Sequence, residues 1–217
     1  MIGAMETEVT ILYQDDILTV CLKPPGVDSQ EGMCQRLSAQ LGGQVYCVHR
    51  LDKAVGGVMV YARSAASAAA LGRAIAEKAL EKQYLAVCEG VPAPAAGEMR
   101  DLLYHDAAKN KTYVVQRQRR GVREALLDYE TLETLEGLSL VQVMLHTGRS
   151  HQIRVQFASR RLPLYGDARY GAKMRGDIAL WSHALAFPHP GTGETMCFTA
   201  PPPAAPPWNA FEMKNAR

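Results

Sequence analysis

The stretch VHRLDKAVGGVMVYARS, Val48 to Ser64, sets one carboxylate, Asp52, between Arg50 and Lys53, just ahead of an apolar run. GGVMVYA is rich in β-branched residues and reads as a buried strand. Ser64 behind it reads as the N-cap of a helix in the alanine-rich segment 64–80. Upstream, VTILY and ILTVCLK read as strands flanking a turn at Gln14-Asp15-Asp16, and KPPG as a sharp break in the chain. VYCV, KQYLAVCEG and LSLVQVML are further strands, and VPAPAAGE (91–98) is a linker or hairpin loop.

Downstream, segment 109–123 reads as a strand, a charged loop with a turn at Gly121, and the start of the strand REALLDYETL. Ser150 reads as the N-cap of a second helix, SHQIRVQFASRR, with Ile153 and Phe157 on one face. LYGDARYG reads as a loop, ALWSHALAFPHP as a strand and turn, and TAPPPAAPPW as a polyproline-like cover or spacer. Strands outnumber helices and do not alternate with them, which predicts an α+β fold with a mostly antiparallel sheet.

The length of 217 residues suits one large domain or a domain of two lobes, and 47% apolar residues suffice for a core. No apolar run reaches the ~20 residues of a membrane span, and MIGAMETEVT lacks the pattern of a signal peptide, so a cytoplasmic protein is expected. The five cysteines form no C-x-x-C pair, and those in TVCLK, LAVCEG and TMCFT are expected as reduced, buried thiols. Net charge is only +2, but segment 109–123 holds six bases and no acid. Residues 149–175 hold seven bases and a single acid, Asp167. Such stripes suit a polyphosphate partner or a solvated face.

Asp52 could close a turn, serve an ion pair, or act as a nucleophile kept ionised by its basic neighbours. In HTGRSHQIR (146–154), Gly148 allows close backbone approach, while Arg149 and Arg154 add positive charge. His146 and His151 straddle a strand–helix boundary and have no adjacent acidic ligand, so no metal site is expected. His183 and His189 fit core or turn roles, since neither sits beside a nucleophile elbow. Tyr84, on a strand, could pack in the core or stack on a base. No phosphate-loop or dinucleotide pattern occurs.

In chain order, VCLKPPGV, HRLD, EKQYLAVCEG, HTGRSHQIRVQ, LYGDARYG, LWSHALAFPHPGTGE and FTAPPP resemble the motifs of the RluA-type pseudouridine synthases, over roughly residues 10–203. The sequence departs from the family pattern at Ala54, Val55 and Gly56, where threonine and serine are usual, and at Gln156, where histidine is common. The resemblance implies a pseudouridine synthase fold, with two lobes, flanking helices and a central catalytic cleft. Its extent implies an N-terminal segment 1–9, a catalytic domain 10–203 and a Pro-rich tail 204–217. A separate upstream RNA-binding domain is expected to be absent, leaving RNA to the catalytic domain.

The implied reaction is isomerisation of uridine to pseudouridine in ribosomal or transfer RNA, with no cofactor or metal, by a monomer. Asp52 is implied as nucleophile, Arg154 as its ion-pair partner and Tyr84 as the ring against the uracil. Arg50 would prop the space left by the flipped base, and Ile153 would form an apolar wall. Arg149, Lys109, Lys111, Arg119 and Arg120 would meet phosphates. Two other readings stay open: a non-catalytic RNA-binding relative, and a hydrolase using Asp52 with His49 or His183.

Overall fold

The computed structural model describes residues 8–213; those parts of the expected N-terminal segment and tail that fall on 1–7 and 214–217 lie outside the described residues. In chain order the first elements are β1 (Ile11–Gln14), β2 (Leu18–Lys23), α1 (Glu31–Leu41), β3 (Tyr46–Cys47), β4 (Gly56–Ala62) and α2 (Ala65–Ala76). Then follow β5 (Glu81–Glu89), β6 (Ala96–Asp106), β7 (Lys111–Val115), β8 (Val122–Leu135), β9 (Leu138–Leu145), α3 (Gln152–Ser159), β10 (Leu180–Pro188) and β11 (Thr195–Thr199). The fold is α+β, as expected. The chain forms two compact units: residues up to Leu80 with Ala184–Ala200, and Glu81–His183 with the residues from Pro201 onward.

In the first unit β2 lies antiparallel between β1 and β4, with Leu18 opposite Ala62 and Lys23 opposite Gly57. Alternation along β2 sends Leu18 and Val20 to one face, where Val58 and Val60 of β4 join Leu71 of α2 and Leu185 and Phe187 of β10. Cys21 and Lys23 point to the other face, along with Met59 and Tyr61 of β4. There the Tyr61 hydroxyl donates to Ser29 O at 2.9 Å. Ser64 caps α2 as expected, in a reciprocal capping box with Ser67.

Helix α1 was not expected. Its apolar content is sparse, and its start is fixed from outside by Asp28, whose Oδ1 accepts from Gln30 N–H and Glu31 N–H at 2.8 and 2.9 Å. It ends on Gly42 at φ +65, a left-handed turn that glycine adopts without penalty. VYCV yields only the two-residue β3. Strand β11 was also unforeseen, and Cys197 on it is exposed rather than buried; Cys21 and Cys88 are buried. The β11 residues alternate outward, so a short apolar run there does not mean enclosure.

The second unit is an antiparallel array in the order β5-β9-β8-β6-β7. Tyr84, Val143, Tyr129 and Phe157 of α3 share one face: Tyr84 is opposite Val143, Val143 opposite Tyr129, and the Tyr129 ring meets Phe157 edge-on at 5.7 Å. On the same side Val155 of α3 packs with Leu103 and Ala125. The other face carries Leu85, Val87 and Leu140, covered by Trp181 and by Trp208 and Phe211 of the Pro-rich segment. That segment therefore supplies core side chains to its unit.

The expected cap at Ser150 is replaced by His151, at φ +53 with no side-chain cap bond. Gln152 explains the shift. Its Oε1 accepts from Thr147 Oγ1 (2.8 Å) and Arg149 N–H (3.0 Å), and its Nε2 donates to Leu126 O (3.1 Å). These bonds carry the chain around one residue further before the helix begins. LYGDARYG, expected as loop, includes one 3-10 turn at Ala168–Tyr170.

Candidate active site

Asp52 lies half-buried in the loop between β3 and β4, and its neighbours are pinned on both sides. Ser29 Oγ donates to Leu51 O at 2.9 Å and accepts from Leu51 N–H at 3.1 Å. Lys53 O accepts from Gly26 N–H at 2.8 Å and from Lys23 Nζ at 3.2 Å. Val55 N–H donates to Asp52 O at 2.9 Å, closing a turn over the buried Val55 side chain. The chain ahead is held where Val60 N–H donates to His49 Nε2 at 3.2 Å. Val55 and Gly56 thus stand at the family's threonine and serine positions, Val55 within a turn that is closed by a backbone bond and braced by Gly26 and Lys23.

Lys23 drew notice in the sequence only as part of a motif, yet it is fully enclosed. Its ammonium donates to Pro24 O at 2.9 Å as well as to Lys53 O. Burial pushes its pKa down to about 8, against the opposing pull of Asp28 and Asp52. The carboxyl of Asp28 is held low by the Glu31 and Gln30 N–H groups, with smaller contributions from Arg50 and Lys23. Arg50 itself is exposed, two positions from Asp52 in sequence.

In the second unit Tyr84 is buried on β5, and Arg154 and Ile153 are buried on α3 on the same side of the sheet. The guanidinium of Arg154 is bound by Asp167: Nε donates to Oδ2 at 2.7 Å and Nη2 to Oδ1 at 2.9 Å. It also lies 5.2 Å from the centre of the Tyr170 ring. Tyr170 in turn is fixed, its hydroxyl accepting from Thr112 N–H at 2.8 Å and lying 2.9 Å from His151 Nδ1. Fork-to-carboxylate pairing plus the ring leaves Arg154 little rotational freedom.

Sequence reasoning missed Asp167 and Tyr170 as the supports of Arg154, although the single acid in the basic run 149–175 was the available signal. Gln156, the other departure, is fully buried and ties α3 to β6, its Nε2 donating to Met99 O (3.0 Å) and Asp101 Oδ2 (2.7 Å).

The basic residues expected to meet phosphates fall in the second unit. Arg119 and Arg120 sit exposed on the loop that joins β7 to β8, two strands that flank β6, with Arg119 stacking 4.9 Å over the Tyr104 ring. Lys111 lies over Tyr113 and Tyr170 at 5.7 and 5.5 Å, and Lys109 pairs with Asp106 at 3.8 Å. Arg149 donates from Nε to Glu124 O at 2.9 Å. A separate cavity of about 510 Å³ in this unit is lined by Glu98, Asp128 and Glu130, which makes it hostile to phosphate.

The histidines take structural roles. His146 Nε2 lies 2.6 Å from Asp128 Oδ2. His189 organises its turn, with Nδ1 accepting from Gly191 and Thr192 N–H and Nε2 on Asp15 at 2.8 Å. His183 is buried on β10. Because His49 Nε2 already accepts a backbone N–H, it is a poor general base for the hydrolase reading.

The fold is that of the pseudouridine synthases. It superposes with a TM-score of 0.80 on human RNA pseudouridylate synthase domain containing 1, at 22% identity, over 93% of this chain and 86% of that one. The corresponding human domain containing 4 gives 0.75 at 23% identity, over 89% and 88%. In sequence, the chain is 34% identical to an uncharacterized RNA pseudouridine synthase of Mycobacterium bovis, over 90% of this chain and 70% of that one. It is 30% identical to ribosomal large subunit pseudouridine synthase D of Neisseria meningitidis, over 89% and 58%. Residues 17–159 match the family model described as RNA pseudouridylate synthase. The chain belongs to that family, isomerases that convert uridine to pseudouridine in RNA.

Proposed function

We propose that this chain acts on ribosomal RNA, as a cytoplasmic monomer, with Asp52 as its nucleophile. The observation that carries the assignment is the clamp around Asp52. Leu51 and Lys53 are fixed by Ser29, Lys23 and Gly26, so the carboxylate between them is presented from a rigid loop. A residue kept only to close a turn needs no buried lysine behind it. The names of the relatives that act on the ribosomal large subunit support the choice of RNA; transfer RNA is the alternative that the same assay reads.

The target uridine must leave its stack, at about a few kcal/mol. Arg50, exposed near Asp52, takes the vacated space. Asp52 attacks the target nucleotide, the N1–C1′ bond breaks, the uracil turns and C5 joins C1′; the bond to Asp52 is then released, and the proton lost from C5 is balanced by one gained at N1. Every atom of the substrate is kept in the product, so no co-reactant is consumed. Tyr84 packs on the uracil and Ile153 bounds it. Arg154, immobilised by Asp167, is the positively charged partner that aims Asp52. Arg149, Lys109, Lys111, Arg119 and Arg120 meet phosphates.

The test is Asp52→Asn. The variant is expected to fold and bind RNA as the parent does while pseudouridine, mapped chemically in ribosomal and transfer RNA, disappears. Product formed by the purified variant removes Asp52 from the chemistry. A parent protein that binds RNA but makes no product establishes the non-catalytic reading instead.

A further inference from the structure

Lys82 is the second residue of β5, and it points to the same face of the sheet as Tyr84, two positions along. Burial alone lowers the pKa of its ammonium from the ordinary lysine value; no carboxylate pulls it back. Among the described residues its ammonium makes no hydrogen bond and no ion pair, unlike Lys109 on Asp106, Arg160 on Asp101 or Arg154 on Asp167. Its Nζ lies 3.5 Å from where a Cβ at Gly148 would stand. Gly148 is exposed, so the lack of a side chain there leaves the ammonium uncovered on that side.

A desolvated cation with no counter-ion is unfavourable in the protein alone. A methionine would fill the same space without that penalty, so packing does not account for a lysine here. An incoming anion would account for it. At neutral pH the negative groups of an RNA are its phosphates. The exposed Arg149, next in sequence to Gly148, adds a second positive charge.

We propose that Lys82 is a substrate-binding residue whose ammonium holds a backbone phosphate of the RNA over Gly148, next to the Tyr84 face. The proposal rests on the reading of this chain as acting on uridine in RNA. It differs from a role in which Lys82 donates to a uracil carbonyl, because that role is indifferent to the charge of the backbone.

The probe is fluorescently labelled pentauridylate, in its natural form and with uncharged methylphosphonate linkages, binding to the full chain followed by anisotropy across a salt series. Lys82→Met is expected to weaken the natural oligomer about tenfold at low salt. It should flatten the plot of log K against log salt by about 0.7, the share of one single-strand phosphate. Lys82→Arg keeps the slope, and the neutral oligomer binds the parent and Lys82→Met alike. Gly148→Leu, which covers the ammonium from an exposed position without removing its charge, reproduces the loss and keeps the test open should Lys82→Met not fold. An unchanged slope in Lys82→Met or Gly148→Leu, or an equal loss with the neutral oligomer, overturns the phosphate site. Pseudouridine formation is scored separately: a parent that makes none overturns the isomerase reading, while a salt slope that still depends on Lys82 leaves the phosphate site standing.

Discussion

Replacing Lys23 by methionine tests whether a buried ammonium, rather than packing, organises the Asp52 loop. The depression of its pKa from 10.5 to about 8 corresponds to about 3 kcal/mol set against the charged form in the folded state. Methionine fills a similar volume and escapes that penalty. It also leaves Pro24 O without its donor, at about 1–3 kcal/mol, whereas Lys53 O keeps Gly26 N–H. At pH 7 the two effects nearly cancel, and the variant is expected within about 2 kcal/mol of the parent.

Between about pH 8 and 10.5 the unfolded parent still binds a proton that the folded parent has lost. The parent therefore gains stability relative to the variant as pH rises through that window, by at most about 1.4 kcal/mol per pH unit. Below pH 8 both states of the parent are protonated, its penalty is fully present, and the difference is flat. Urea unfolding of both proteins at pH 7, 8, 9 and 10 measures this. A difference that stays constant across the series refutes the buried-charge account. Independently, pseudouridine formation by the variant should fall by up to about 10²-fold, because the loop bearing Asp52 loses one anchor.

Asp167→Ala should destabilise the protein by about 3–5 kcal/mol in urea unfolding, since it strips the bidentate partner from a buried guanidinium. Reversing the charges of Arg119 and Arg120, both exposed, should leave the thermal midpoint unchanged while weakening RNA binding and flattening its salt dependence by about 0.7–0.9 for each phosphate no longer neutralised. An unaltered slope removes the β7–β8 loop from the RNA interface. Trp208→Ala should cost about 3–5 kcal/mol, measured by urea unfolding, because Trp208 is packed among Leu85, Val87 and Leu140. A negligible cost would mean that the Pro-rich segment is only a surface cover.

Features whose cause is local were readable from the sequence alone. GGVMVYA, KQYLAVCEG and LSLVQVML became β4, β5 and β9 because dense β-branched runs favour strand whatever their partners. Ser64 caps α2 because its partner, Ser67, is three residues away. The motif order carried the family. Other features waited for the tertiary structure. Met33 and Leu37 are too few to announce α1, and they count only once the chain encloses them. His151 displaced Ser150 because Gln152 reaches Leu126, on another strand. Asp167 meets Arg154 across 13 positions, and Lys23 reaches Lys53 across 30. Hydrogen bonds between near neighbours and hydrophobic period are written along the chain. Desolvation and the pairing of distant charges depend on what packing removes from water, and only the folded molecule decides that.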